Sequence, residues 1–305
     1  MFKQAKDLLS FKAFKPSKLD VKVQLRERFF KSGPIMGISI SKHCLTCAEI
    51  QFASPAGAEI SKIKVFPVTI NCEEDKQEET ELKAEEESVS IITAFAKEHG
   101  LSHALLLNSP EIQIQKVNRA SRKIGVDRLY DTKYAMDIMF AGPVEEGRAY
   151  AYVGNSIADE TLIFSYHQEK VDAAANLLAA AGLELVRVTC SIYAIIDYLL
   201  QDYQSGFLSQ NQILLIYSSD CLFVALIWES SFQQIGFRAN IEAPDMPSHI
   251  SRIIERFECE PRQVSYVNCS NWDIQTYFSR HYPRLKLAPI FLDSFSGAFQ
   301  AASYG

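Results

Sequence analysis

The feature that most constrains this chain is a pattern that occurs twice. Three short apolar segments joined by tight breaks are followed by a helix-sized segment and one more short apolar segment. The clearer copy opens at Gln212 with QILLIYSSDCLFVALIWESSFQQIGFRAN. Residues 213–217 and 222–228 are continuous apolar runs and 232–238 alternates, which are the patterns of strands buried on two faces and on one. The breaks are Ser218-Ser219-Asp220 and Glu229-Ser230-Ser231. Ser and Asp side chains bond to their own backbone and favour tight turns, so a hairpin meander is predicted. A helix over 247–258 and a strand over 264–267 complete a βββαβ unit.

In the first copy, strands are predicted over 35–41, 45–52 and 60–70. The acidic run 73–87 reads as a solvated loop or an exposed helix start, since like charges repel. Ser88 is placed as the cap of a helix over 89–99 that Gly100 closes. A short buried parallel strand over 103–107 ends the unit. Residues 110–165 read as an inserted small α/β subdomain, with strands over 149–153 and 161–166. An Ala-rich helix over 168–181, closed by Gly182, leads to a strand over 183–189. A second helix, 191–203, carries a buried stripe of Ile195, Ile196, Leu199 and Leu200. After the second unit, a helix over 272–279, a strand over 285–287 and a small-residue helix over 294–304 are expected. The chain thus divides into a basic extension (1–34), a first lobe (35–206, insert about 110–165) and a second lobe (207–305).

Composition narrows the functional classes. The 305 residues are 48% hydrophobic and 22% charged with a net charge of −6, as in an ordinary folded protein and without a general reason to bind nucleic acid. No apolar run approaches the roughly 20 residues of a membrane-spanning helix. The first residues lack the apolar core of a secretory signal, and the seven cysteines have no framework spacing, so reduced thiols and a cytoplasmic location are expected. Residues 1–34 interleave basic side chains with Phe and Leu, which suits either a solvated or partner-covered extension or an arm lying on an anionic membrane. Cys44 and Cys47 have no second pair at zinc spacing, the six histidines fall in separate elements, and no P-loop or GxSxG is present.

Several stretches carry a family resemblance. GISISKHCLTCAEI, beginning at Gly37, is similar to an opening hairpin normally written Gly-x-Asp-x-Gly-Ser. LLAAAGLELVRVTCSIYAIIDYLL, from Leu177, resembles a helix–Gly-Leu–strand–helix crossover. The second meander, with Phe237 and Arg238 on its third strand, and the closing FQAASYG complete the set. The whole resembles the actin-like ATPase fold: duplicated ribonuclease H-like α/β lobes with an inserted small α/β subdomain. Within it, the PilM-type proteins of type IV pilus assembly and the cytoplasmic domain of the type II secretion protein GspL resemble it most, over about residues 35–305.

That resemblance implies a nucleotide cleft, and the departures bear on it. Acidic residues in the first turns of both lobes would hold Mg²⁺, and glycines would let backbone amides reach phosphate. Ser39 stands where Asp is expected and Ser41 where Gly is, and Ile216-Tyr217-Ser218 has no Asp-x-Gly. Were ATP and Mg²⁺ bound, the residues concerned would be Ser39, Ser41, Lys42, Ser218, Ser219 and Asp220, with Asp220 compensating only after a register shift. The expectation is a non-catalytic, pseudo-ATPase scaffold without a resident cofactor or metal. The resemblance implies a place at the cytoplasmic face of the inner membrane, gripping the tail of a bitopic, PilN-like partner among residues 110–165. Other platform components would also be partners, no nucleic acid is expected, and peripheral membrane contact and a homodimer stay open. The rival readings are an active actin-like ATPase or sugar-kinase relative, and a membrane-surface module acting through its basic arm.

Overall fold

The computed structural model describes residues 33–40, 44–54, 57–67, 77–108, 112–118, 148–155, 158, 160–202, 208–218, 221–239, 241, 243–257, 261–269 and 272–290. The predicted extension up to residue 32 and the helix over 294–304 lie outside them. The chain runs β1 (Ile35–Ile40), β2 (Cys44–Ser54), β3 (Gly57–Pro67), α1 (Gln77–His99) and β4 (His103–Asn108). The insert follows with β5 (Gln113–Asn118), β6 (Arg148–Asn155) and β7 (Glu160–His167), then α2 (Gln168–Ala180), β8 (Glu184–Cys190) and α3 (Ser191–Asp202). The second unit is β9 (Gln212–Ser218), β10 (Cys221–Trp228), β11 (Ser231–Arg238), α4 (Met246–Ile254), β12 (Gln263–Asn268), α5 (Ile274–His281) and β13 (Lys286–Pro289).

The repeat seen in the sequence is a repeat of topology. One five-stranded sheet has the order β3-β2-β1-β4-β8 and the other β11-β10-β9-β12-β13. In each, an antiparallel meander meets two strands parallel to its first strand. Parallel neighbours need a crossover, which α1 and α2 supply in the first sheet and α4 and α5 in the second. The described part of the insert is a three-stranded antiparallel sheet, β5-β7-β6.

Period-two alternation sorts the strand residues into layers. Met36, Ile38, Leu45, Ala104 and Leu106 pack against Ile92 and Phe95 of α1 and Ala174 and Leu178 of α2. Ile213, Leu215, Leu222 and Val224 pack against Met246 and Ile250 of α4 and Ile274 and Phe278 of α5. The alternate residues, Ile35, Leu105 and Leu107 in one sheet and Leu214, Ile216 and Phe223 in the other, join a single core with Ile192, Ile195, Ile196, Leu199 and Leu200 of α3. Because both faces of β4, β9 and β10 are covered, their sequences read as unbroken apolar runs.

Three helix ends differ from the sequence reading for a local physical reason. α1 begins at Gln77, so Ser88 lies buried inside the helix and is not its cap. Glu, Gln, Leu, Lys and Ala are strong helix formers, and carboxylates in the first turn are favoured by the helix dipole, which outweighs their mutual repulsion. α4 stops at Ile254, where Arg256 N–H and Phe257 N–H turn back to the carbonyls of Ile253 and Ile254. α5 starts at Ile274, because Asp273 Oδ1 accepts the Thr276 N–H at 3.0 Å. Gly100 (φ 64°) and Gly182 (φ 75°) end α1 and α2 in the left-handed conformation, as expected.

Candidate functional site

In open α/β sheets, ligands meet the carboxyl ends of the parallel strands. Here these are the ends of β1, β4 and β8 in one sheet and of β9, β12 and β13 in the other. Of the six residues expected to hold nucleotide, Ser39 and Ser218 are described, and Ser41, Lys42, Ser219 and Asp220 lie outside the described residues. Ser39 pairs with Thr46 on β2 and Leu107 on β4, and Ser218 pairs with Cys221 across the β9–β10 turn. Alternation from Ile35 places Ser39 on the inner face of its sheet, and alternation from Leu214 and Ile216 does the same for Ser218. Both serines therefore look towards the layer that holds α3.

That layer carries polar residues the sequence reading did not single out. A register shift between Ala104 and Leu105 sets Leu105 opposite Arg187, not Val186, so Arg187 turns to the inner face. Its guanidinium lies 6.0 Å from the Tyr193 ring centroid, and Phe164 meets the same ring edge-on with centroids 5.2 Å apart. Burial pushes the Tyr193 hydroxyl far above the ordinary phenol range, the Asp197 charge adds to this, and Arg187 opposes it. Tyr166 is pushed up to about 12, first by burial and then by Tyr193 and Cys190. The Cys190 thiol is pushed up to about 11 by burial, against the N–H groups of Tyr193 and Ile192 at the start of α3. All three shifts favour the protonated form at neutral pH, whereas an activated thiol or a general base needs a pKa drawn towards neutrality. Asp197, 4% exposed, interrupts the apolar stripe of α3, and that break in the pattern was the available signal.

A second polar constellation joins the insert to the second sheet. Glu160, fully buried, accepts the Phe232 N–H at 2.8 Å and the Asn155 Nδ2 amide at 2.7 Å on Oε1. Its Oε2 accepts the Ser231 hydroxyl at 2.8 Å and lies 3.7 Å from Lys116 Nζ. Asn155 Nδ2 also donates to the Ser230 carbonyl at 2.8 Å. The β10–β11 turn held in this way has Glu229 (φ 51°) and Ser230 (φ 65°) in the left-handed region, as two-residue hairpin turns require. Neither is glycine, so the conformation is strained, and Asn211 Oδ1 holds it from the other side by accepting the Glu229 N–H at 2.9 Å. Glu160 had no sequence signal, because apart from Asn155 its partners are 44 to 72 residues away in the chain.

No protein-family model matches the chain, and no curated protein matches it in sequence. Solved structures do. The PilM–PilN type IV pilus biogenesis complex aligns with a TM-score of 0.57 at 10% identity, covering 88% of this chain and 96% of that chain. A Bacteroides thetaiotaomicron protein of actin-like ATPase fold and unknown function aligns at 0.54 and 8% identity, covering 90% and 98%. The cytoplasmic domain of EpsL, an inner-membrane component of the Vibrio cholerae type II secretion system, aligns at 0.52 and 11%, covering 89% and 95%.

Proposed function

From the actin-like ATPase fold that this chain has, we propose that it is a non-catalytic scaffold of a type IV pilus or type II secretion platform. In this reading it sits at the cytoplasmic face of the inner membrane and holds the extended tail of a bitopic membrane protein. The observation that carries the reading is the pair of strand ends facing the interlobe layer. β1 and β9 occupy equivalent places in the two sheets, and each presents a serine there, Ser39 and Ser218. A hydroxyl can bond to phosphate but cannot supply the carboxylate that fixes Mg²⁺. The titrating groups around α3 favour their protonated forms, which suits a packed layer better than a reacting one. The near end-to-end alignments with a PilM–PilN complex and a secretion-platform domain support the choice of machine.

A scaffold would take its partner's tail by backbone pairing at a sheet edge plus a few side-chain pockets. The insert is the part of the first lobe that adds such edges, β5 and β6. Two titrations test the reading. Mg-ATP should give no saturable heat in calorimetry, and labelled peptides from the host's platform bitopic proteins should bind with saturation by fluorescence anisotropy. Metal-dependent ATP binding together with turnover would sink it in favour of the ATPase rival.

A further inference from the structure

The duplicated topology supplies an internal comparison. In each lobe the helices cross back to the amino ends of the parallel strands, so the α1–β4 and α2–β8 connections correspond to α4–β12 and α5–β13. At the first lobe's amino end, carboxylates stand beside basic groups. Lys64 Nζ lies 3.0 Å from Glu98, His99 Nδ1 lies 3.2 Å from Glu49, and His103 Nε2 lies 3.4 Å from Glu184. The second lobe's amino end is different. Arg252 and Arg256 stand at the end of α4, Arg262 immediately before β12, Arg280 in the last turn of α5, Arg284 before β13 and Lys286 at its start. All six are exposed. The Lys286 N–H donates to the Arg262 carbonyl at 2.9 Å, which fixes the two connections side by side. α4 and α5 are tied together by Tyr282 and Tyr277, whose hydroxyls lie 3.2 and 2.9 Å from Ser251 Oγ.

None of the six is held in an ion pair among the described residues, and Glu255 is the only described carboxylate of the two connections. Over residues 252–262 and 280–286 the sequence has six Lys and Arg against three Glu, while the whole chain is at −6. The helix dipole accounts for Arg252 and Arg280, each in a last helical turn, but not for Arg262, Arg284 or Lys286. The equivalent end of the first lobe carries Glu49, Glu98 and Glu184 beside Lys64 and Lys97, so the fold itself does not require a cationic excess.

We propose that the amino end of the second sheet is a docking surface for anionic phospholipid headgroups. A cationic face seats on an anionic bilayer through its local charge, because charges further than about 8 Å are screened at physiological salt. The headgroup phosphates need no groove, only guanidinium and ammonium groups free of protein partners. This surface goes beyond the scaffold reading and does not depend on it, since tail binding and lipid binding are read out separately.

The test is co-sedimentation of the full chain with vesicles of equal parts phosphatidylglycerol and phosphatidylcholine, against vesicles of phosphatidylcholine alone. Salt-sensitive partitioning onto the anionic vesicles alone is expected. Each charge lost near such a surface weakens partitioning about five-fold. Arg262→Glu with Arg284→Glu and Lys286→Glu should therefore weaken it on the order of a hundredfold or more. Lys97→Glu, at the corresponding end of the first lobe, should leave it unchanged. An unaltered melting temperature shows that the triple variant folds. If the triple variant partitions like the parent, the basic extension is responsible and the proposal fails. It fails equally if the parent ignores anionic vesicles, or if the triple change abolishes binding only to a short DNA duplex.

Discussion

Single residues show most plainly how packing makes demands that a chain read in order does not reveal. Glu160 sits at the first position of β7, and its carboxylate takes donors from β6, from β11 and from Lys116 on β5. Buried charge persists only when its oxygens are satisfied, so truncation leaves the Phe232 N–H without its acceptor and takes from the Asn155 amide one of its two. Glu160→Ala is expected to cost about 3–5 kcal/mol in urea denaturation. Glu160→Gln should cost less, because its amide oxygen still accepts from Phe232 and the Ser231 hydroxyl can turn to accept from the new amide. Equal losses for the two variants would mean that the charge itself, paired with Lys116, carries the stabilisation. The serines are the opposite case. Ser39 and Ser218 were singled out from their place in the sequence, but the faces they occupy follow only from which neighbours enter the shared core.

At the scale of elements, propensity and periodicity located the described strands other than β5, and the helices, to within a few residues, except at ends where a competing local interaction decides. Asp273 caps α5, and its carboxylate is held below the ordinary range, chiefly by its bonds to Thr276. The predicted start at Trp272 missed this because Asp in a polar stretch has several plausible roles. The packing of α4 on β11 turns on Gly236. A Cβ there would lie 2.7 Å from Ile253 Cδ1 and 3.0 Å from its Cγ1, so the Ile253 side chain would have to shift. Gly236→Ala should destabilise by about 1–3 kcal/mol, the usual cost of overpacking. Pairing it with Ile253→Val, which removes Cδ1, should recover part of that loss. A double-mutant cycle with no coupling would show that Gly236 serves strand conformation alone.

For the whole molecule, the decisive element is α3. Its side chains share one core with both sheets, so the lobes are joined through a helix and not only by a connecting segment. Ile196 and Leu199, at 0% and 1% exposure, are expected to cost about 2–5 kcal/mol each on truncation to Ala. Calorimetry should show both lobes melting in one transition that moves down as a unit. Two transitions, only one of them shifted, would show that the lobes fold independently despite the common core.

The duplication, the meanders and the crossover helices were legible in the order of residues, because hydrophobic period and turn chemistry act over a few positions. The places of Ser39 and Ser218 at the ends of β1 and β9 were legible for the same reason, once the hairpins had been located. The Glu160 junction, the aim of Arg187 after its register shift and the gathering of the second lobe's exposed basic residues at one end of its sheet were not. Each depends on groups tens of residues apart becoming neighbours, which is settled by how three sheets and a shared helix close on one another. Local sequence determined what the pieces are and which apolar face each must hide. Only the tertiary structure decided which polar groups are satisfied in hiding them and which remain free to meet a partner.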